Sequence, residues 1–318
     1  MTTFKGIRGT TIRSASTDPT NPETGQIWYN STTAQLKCYQ TGGTWASGGN
    51  MATARKGPAG AGTQTSGLTF GGRTAGNISS GATEEYDGTS WTAGGTMGTA
   101  RYILASCGLQ TVALAIGGQT TVVTNATEEY NGTSWTAGGN LGTARYGLAG
   151  AGTQTVAAAF GGYSTTNVAN TEEYDGTSWT AGGNMITARR VLAGCGTQTV
   201  ALGFGGFTTT QVANTEEYDG TSWTNSGNMG IARRLLAGAG IQTAALAFGG
   251  FITDVVANTE EYNGTSWITG GNLGTARRLL AGAGTQTAGL ASAGLTTVEL
   301  ANTEEYTSGL QTRVINIS

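Results

Sequence analysis

From Met51 onward the chain alternates short apolar runs with polar, glycine-marked turns, and each cycle resolves into four strand-like pieces. One copy shows them in full. RRVLAGCG at 189–196 mixes apolar with very small residues, as an innermost strand must where sheets converge. TQTVALGFGG at 197–206 is a longer apolar run closed by paired glycine. ANTEEYDG at 213–220 is polar and carries Tyr218, and TSWT at 221–224 carries Trp223. Between the last two pieces lies Asp-Gly or Asn-Gly, beginning at Asp87, Asn131, Asp175, Asp219 and Asn263, a strong hairpin signal because both central residues of that turn need positive φ.

The tryptophans set the period. Trp45, Trp91, Trp135, Trp179, Trp223 and Trp267 are spaced by 46 residues once and by 44 thereafter, which marks a repeat architecture. Four antiparallel strands per period predict an all-β fold, a β-propeller of four-stranded blades. Arginines that open the inner strand, Arg55, Arg101, Arg145, Arg189, Arg233 and Arg277, count six blades. The last is irregular: Ser292-Ala293-Gly294 replaces the usual Phe-Gly-Gly, and Gln311 stands where its tryptophan is due. Trp45 precedes Arg55 by the same ten residues that separate Trp91 from Arg101, so Trp45 is expected to supply the outer strand of the last blade. The competing closure uses TRVINI at 312–317, which is otherwise expected to pair nearby.

Three segments follow. Residues 1–26, with Pro19, Pro22 and no hydrophobic period, read as an extended arm; 27–46 hold a β-hairpin and the Trp45 strand; 47–318 form the propeller. The hairpin pairs Gln26 to Tyr29 with Gln35 to Tyr39 around a polar turn. Glycine at 55 residues against 3 prolines marks repeated tight turns, not a disordered linker. A net charge of −3 gives no global reason to expect nucleic acid or an anionic membrane. The N-terminus lacks an apolar signal core and no run reaches membrane-spanning length, so neither a signal peptide nor membrane insertion is expected. Cys107 and Cys195 share a repeat position with Ala151, Ala239 and Ala283, and read as small buried residues.

Charge is largely confined to two repeat positions. Of 19 acidic residues, 12 are the Glu-Glu pairs before Tyr86, Tyr130, Tyr174, Tyr218, Tyr262 and Tyr306; 10 of 16 basic residues sit at or beside the repeat arginine. On a strand Glu84, Glu128, Glu172, Glu216, Glu260 and Glu304 share a face with their tyrosines and point between blades, where a carboxylate needs a partner. The repeat arginine, as Arg189 in its copy, is the expected one. The alternative is acid–base catalysis or calcium binding, but a sixfold recurrence reads as architecture. The absence of histidine removes His-based triads and metal sites. AGAGTQT segments read as turns between the first and second strands, not phosphate loops.

Variable positions carry the functional candidates. After the repeat arginine come Lys56, Tyr102, Tyr146, Arg190, Arg234 and Arg278; after the glycine pair, segments begin at Arg73, Gln119, Tyr163, Phe207, Phe251 and Leu295. Strand alternation puts both sets on one face. A crescent of Arg190, Arg234 and Arg278 flanked by Tyr163, Phe207 and Phe251, with Tyr102 and Tyr146 beside it, could hold an anionic sugar or acidic peptide through charged hydrogen bonds and ring stacking. The plain alternative is a rim free to drift. No cofactor and no metal is expected.

The order Met or Leu, Arg, apolar strand ending in Gly-Gly, Glu-Glu-Tyr-Asp/Asn, then Trp resembles the kelch repeat from Trp45 to about Tyr306. That resemblance implies that Gly161, Gly162, Tyr174 and Trp179, with their counterparts, hold adjacent blades together, and that the variable face is the binding surface. PETGQIWYNSTTAQLKCYQTGGTW, residues 22–45, resembles a module of bacteriophage tail-fibre and virion appendage proteins. Together these imply a non-enzymatic virion structural protein, in a tail fibre, appendage or capsid decoration. Its propeller would be displayed for host-receptor or glycan attachment, and its arm would dock on other virion proteins; a homo-oligomer is compatible. A cellular kelch-type interaction scaffold is the alternative, and a sialidase-like or lyase-like enzyme the second.

Overall fold

The computed structural model describes residues 12–20 and 26–314. It is an all-β protein whose only described helix is the 3-10 turn Ala75–Asn77. Five four-stranded antiparallel sheets recur along the chain; a sixth repeat lies in a six-stranded sheet, and a two-stranded sheet joins Arg73–Thr74 to Ile78–Ser79. The repeated sheets fit a β-propeller. Residues 44–307 form one compact unit, and the described residues among 1–43 and 308–314 form another.

Within each repeat the register follows from side-chain size. In the copy opened by Arg189 the strands are Ala193–Gly196, Ala201–Phe204, Thr215–Tyr218 and Trp223–Asn225, paired in chain order. The second strand is buried along its whole length. It is covered on both faces, which is why it reads as a continuous apolar run. The first strand alternates alanine or cysteine with glycine because neighbouring first strands nearly touch: a Cβ on Gly150 would stand 2.7 Å from Ser106 O.

The inner strand is shorter than the sequence suggests, and the physical reason lies at the residue before the leucine that leads into it; the second strand stops at Phe204, where Gly205 and Gly206 take φ 64° and 107°. Arg190 forms an isolated bridge to Phe207, and Val191 then turns into the left-handed region at φ 50°. Ile103, Leu235 and Leu279 do the same at φ 50°, 58° and 54°, while Gly57 and Gly147 occupy the position at 63° without a Cβ penalty. These six residues join successive repeats: Ile103 N–H donates to Gly57 O, Gly147 to Ile103, Val191 to Gly147, Leu235 to Val191, Leu279 to Leu235, and Gly57 back to Leu279. They also line a small cavity of about 80 Å³.

Side chains repeat that connection. Trp179 Nε1 donates to Thr127 Oγ1 of the preceding repeat at 3.0 Å, and Trp91 does so to Thr303 of the last repeat at 2.8 Å. Trp45 occupies the matching place in the last repeat: its Nε1 donates to Thr259 Oγ1 at 2.9 Å, and its ring lies 5.0 Å from Tyr306 and 4.9 Å from Phe248. The alternative at 312–317 is not adopted over 312–314, which continue the strand Thr303–Val314; 315–317 fall outside the described residues. At the irregular motif Ala293 takes the left-handed conformation, φ 60°, that glycine holds elsewhere, and Ser292 Oγ bonds Thr69 Oγ1 at 2.7 Å.

In the smaller unit, Ile27–Asn30 pairs antiparallel with the start of Gln35–Ser47, Ile27 facing Cys38. Most of the arm read over 1–26 lies outside the described residues; Arg13–Ala15, which is described, pairs parallel with Trp28–Asn30. Asp18 gathers Trp28 Nε1 at 2.9 Å, Asn30 Nδ2 at 2.8 Å and Lys37 Nζ at 2.8 Å, and these donors hold its carboxyl down at about 2. No helix among the described residues is long and apolar enough to cross a membrane.

Candidate functional site

The repeat charges are spent inside the larger unit. Arg55–Glu84, Arg101–Glu128, Arg145–Glu172, Arg189–Glu216, Arg233–Glu260 and Arg277–Glu304 are ion pairs with fully buried guanidiniums. In each, burial pushes the arginine below its ordinary pKa and the glutamate opposes that shift. The other carboxylate oxygen takes a loop N–H, as when Ile186 N–H donates to Glu216 Oε2 at 2.7 Å. These carboxylates are therefore struts between strand and loop.

The second glutamate of each pair has a role that sequence reasoning missed. It lies on the opposite face of its strand and accepts the tyrosine hydroxyl of the next repeat: Tyr130 to Glu85, Tyr174 to Glu129, Tyr218 to Glu173, Tyr262 to Glu217, Tyr306 to Glu261, and Tyr86 back to Glu305. The Gln of the TQT turns was missed as well. Gln154 Nε2 reaches the preceding repeat and donates to Ala113 O at 3.1 Å and Tyr130 O at 2.6 Å, and Gln64 does the same to Gly289 O and Tyr306 O. Strict recurrence of Gln64, Gln110, Gln154, Gln198, Gln242 and Gln286 was the available signal. The six repeat tryptophans pack against their own tyrosines, with ring centroids 4.9–5.0 Å apart; the pairs of Trp45, Trp91, Trp135, Trp179 and Trp267 are tilted and that of Trp223 is stacked.

The variable positions meet on one face. Bridges pair Tyr102 with Gln119, Tyr146 with Tyr163, Arg190 with Phe207, Arg234 with Phe251 and Arg278 with Leu295. Three arginines and three rings thereby interleave. Arg190 lies over Tyr163 at 4.5 Å and Phe207 at 5.2 Å; Arg234 over Phe207 at 4.4 Å and Phe251 at 5.4 Å; Arg278 over Phe251 at 4.6 Å. Tyr146 continues the row at 5.5 Å from Tyr163. Tyr102 stands apart from the arginine row, capped by Arg73 at 3.5 Å, with its hydroxyl on Gln119 Oε1 at 2.7 Å.

The electrostatics of this arc differ from the interior. Arg190, Arg234 and Arg278 form no ion pair among the described residues, whereas Lys56 is neutralised by Glu299 at 2.9 Å. Arg190 donates to Asn167 Oδ1 at 3.4 Å, and the Nε atoms of Arg234 and Arg278 are buried without a hydrogen-bond partner. Partial burial, then the like charges of Arg190 and Arg278, push Arg234 below its ordinary value. Among the described residues no cluster of three or more His, Cys, Asp or Glu is placed to hold a metal ion. No known family model matches the chain, and no curated protein matches it.

Proposed function

We propose that the chain is a closed, six-bladed propeller of kelch type that acts without catalysis as an attachment component of a bacteriophage virion. It serves in a tail fibre, appendage or capsid decoration, with the arc face displayed toward a host glycan or receptor and the N-terminal arm docked on other virion proteins. Closure is supported by inner-loop, Trp, Tyr–Glu and Gln contacts that each lead from the last repeat back to the first. The observation that carries the binding role is the contrast in charge: six arginines are cancelled internally, whereas Arg190, Arg234 and Arg278 in one row, like Arg73 beside Tyr102, form no ion pair among the described residues.

A rigid platform suits this role, because contacts between every pair of neighbouring repeats hold the arc in one geometry before a ligand arrives. A glycan array probed with wild type and with Arg234→Ala tests the attachment reading. Selective binding that Arg234→Ala weakens supports it; equal binding by the two proteins removes the arc as the site. Antibody labelling of purified phage particles tests the virion assignment, and absence of the chain from particles sinks it.

A further inference from the structure

The interleaved stack limits what the arc can hold. Phe207 lies between Arg190 and Arg234, and Phe251 between Arg234 and Arg278, so both rings have guanidiniums over their faces. A sugar ring therefore cannot stack on them without displacing an arginine. The three arginines and the three rings are each only half-buried, so the arc offers guanidinium N–H groups beside the positive rims of aromatic rings, both complementary to anions. The cation–π contacts hold each guanidinium plane in place, which lowers the entropy lost when an anion is bound.

Because the three charges come from adjacent repeats, they form a row and not a single pocket. Resting on the attachment role proposed above, we infer that the arc binds a linear acidic polysaccharide whose carboxylates or sulfates recur along the chain and engage Arg190, Arg234 and Arg278 edge-on. An acidic peptide is less well matched. At the Arg190 copy part of the bordering main chain is already paired: Arg190 N–H donates to Phe207 O and Phe207 N–H to Arg190 O, while Thr208 N–H donates to Thr210 O and Val212 N–H to Gly206 O. These groups are not free to pair with a peptide backbone. The loops instead expose hydroxyls at Thr166, Thr209, Thr253 and Thr297, which suit sugar hydroxyls. Asp254, exposed in the same set of loops, makes no ion pair with the three arginines and binds its neighbour's N–H at 2.7 Å.

The test compares four immobilised probes binding to the full chain: a hexamer of uronic acid, its carboxyl-reduced neutral counterpart, a single uronic acid, and hexaglutamate. The expected result is binding of the hexauronate at least tenfold tighter than each of the others, weakened several-fold by 0.5 M salt. Arg234→Gln should weaken it by roughly tenfold, and Arg234→Lys should recover only part because lysine lacks the planar fork. Unchanged circular dichroism and melting of the variants confirm that they fold; the salt dependence of wild type stands independently of them. Equal binding of the neutral hexamer overturns the polyanion inference and leaves the attachment role intact. Equal or tighter binding of hexaglutamate overturns the glycan class. Binding of none of the probes overturns the polyanion inference, and failure on the broader glycan array as well removes the attachment role with it.

Discussion

Replacing Glu216 with leucine leaves the Arg189 charge in a place that water does not reach. Both side chains are 0% exposed, and the pair is held at 2.6 Å, with Arg189 also donating to Gly203 O at 3.1 Å. Removing one member of a buried ion pair costs about 3–5 kcal/mol because the remaining charge is uncompensated. That is a large share of the roughly 5–15 kcal/mol that stabilises a domain. The double replacement Arg189→Met, Glu216→Leu removes both charges and fills similar volume, so the electrostatic cost disappears. What remains is the Ile186 N–H that Glu216 Oε2 accepts at 2.7 Å and the Gly203 O that loses its Arg189 donor, each worth about 1–3 kcal/mol if left unpaired. Urea unfolding of wild type, both single variants and the double closes the cycle. The double should be more stable than Glu216→Leu alone, with a coupling of about 2 kcal/mol or more. Additive single effects, or a Glu216→Leu cost under about 1 kcal/mol, would refute the claim that the pair is a buried strut.

Other consequences can be measured in the same way. Gln154→Leu should cost about 1–3 kcal/mol in urea unfolding, since two carbonyls of the preceding repeat lose their donor. Trp45→Ala should cost about 3–5 kcal/mol, matching Trp179→Ala, because the two rings occupy equivalent places; a much smaller loss at Trp45 would show that it does not complete the last repeat. Burial and the adjoining glutamate raise Tyr86, Tyr130, Tyr174, Tyr218 and Tyr262 from 10.0 to about 12. A folded-state pKa above the unfolded one means that the contribution is complete below pH 10 and is lost as pH rises toward 12. Stability followed by far-ultraviolet circular dichroism, with tyrosinate absorbance alongside, should therefore fall across that window, and a flat profile would contradict the Tyr–Glu contacts.

Much of the architecture could be read from residues alone because its causes are local and recur. The Asp-Gly and Asn-Gly pairs mark the hairpins, although only the glycine of each, Gly88, Gly132, Gly176, Gly220 and Gly264, takes positive φ, near 90°; the Asp or Asn before it instead accepts loop N–H groups, as Asp87 Oδ1 does from Thr89 and Ser90. The run ALGF is apolar at every position because it is covered on both faces, and the spacing of Trp45 from Arg55 places that tryptophan in register with the others. The Arg–Glu strut followed from a two-residue strand period and the cost of burying a lone charge.

The remaining features depend on distances between sheets, which no single repeat encodes. Glu172 and Glu173 are adjacent and identical, yet one serves its own repeat and the other the next, because successive strand residues face opposite neighbours. Gln154 looks like a turn residue until the preceding repeat is set beside it. Val191 has no local reason to be left-handed; the hydrogen bond to Gly147 O and the Arg190–Phe207 bridge hold it there. At the arc, variation between copies identified the arginines and the rings as candidates for separate tasks, charge recognition and stacking. Three-dimensional packing put them against each other, so the rings orient the arginines and the arginines cover the rings. Periodicity along the chain can name the partners in such a row, but only the spacing between neighbouring sheets decides which of their faces remain open to a ligand.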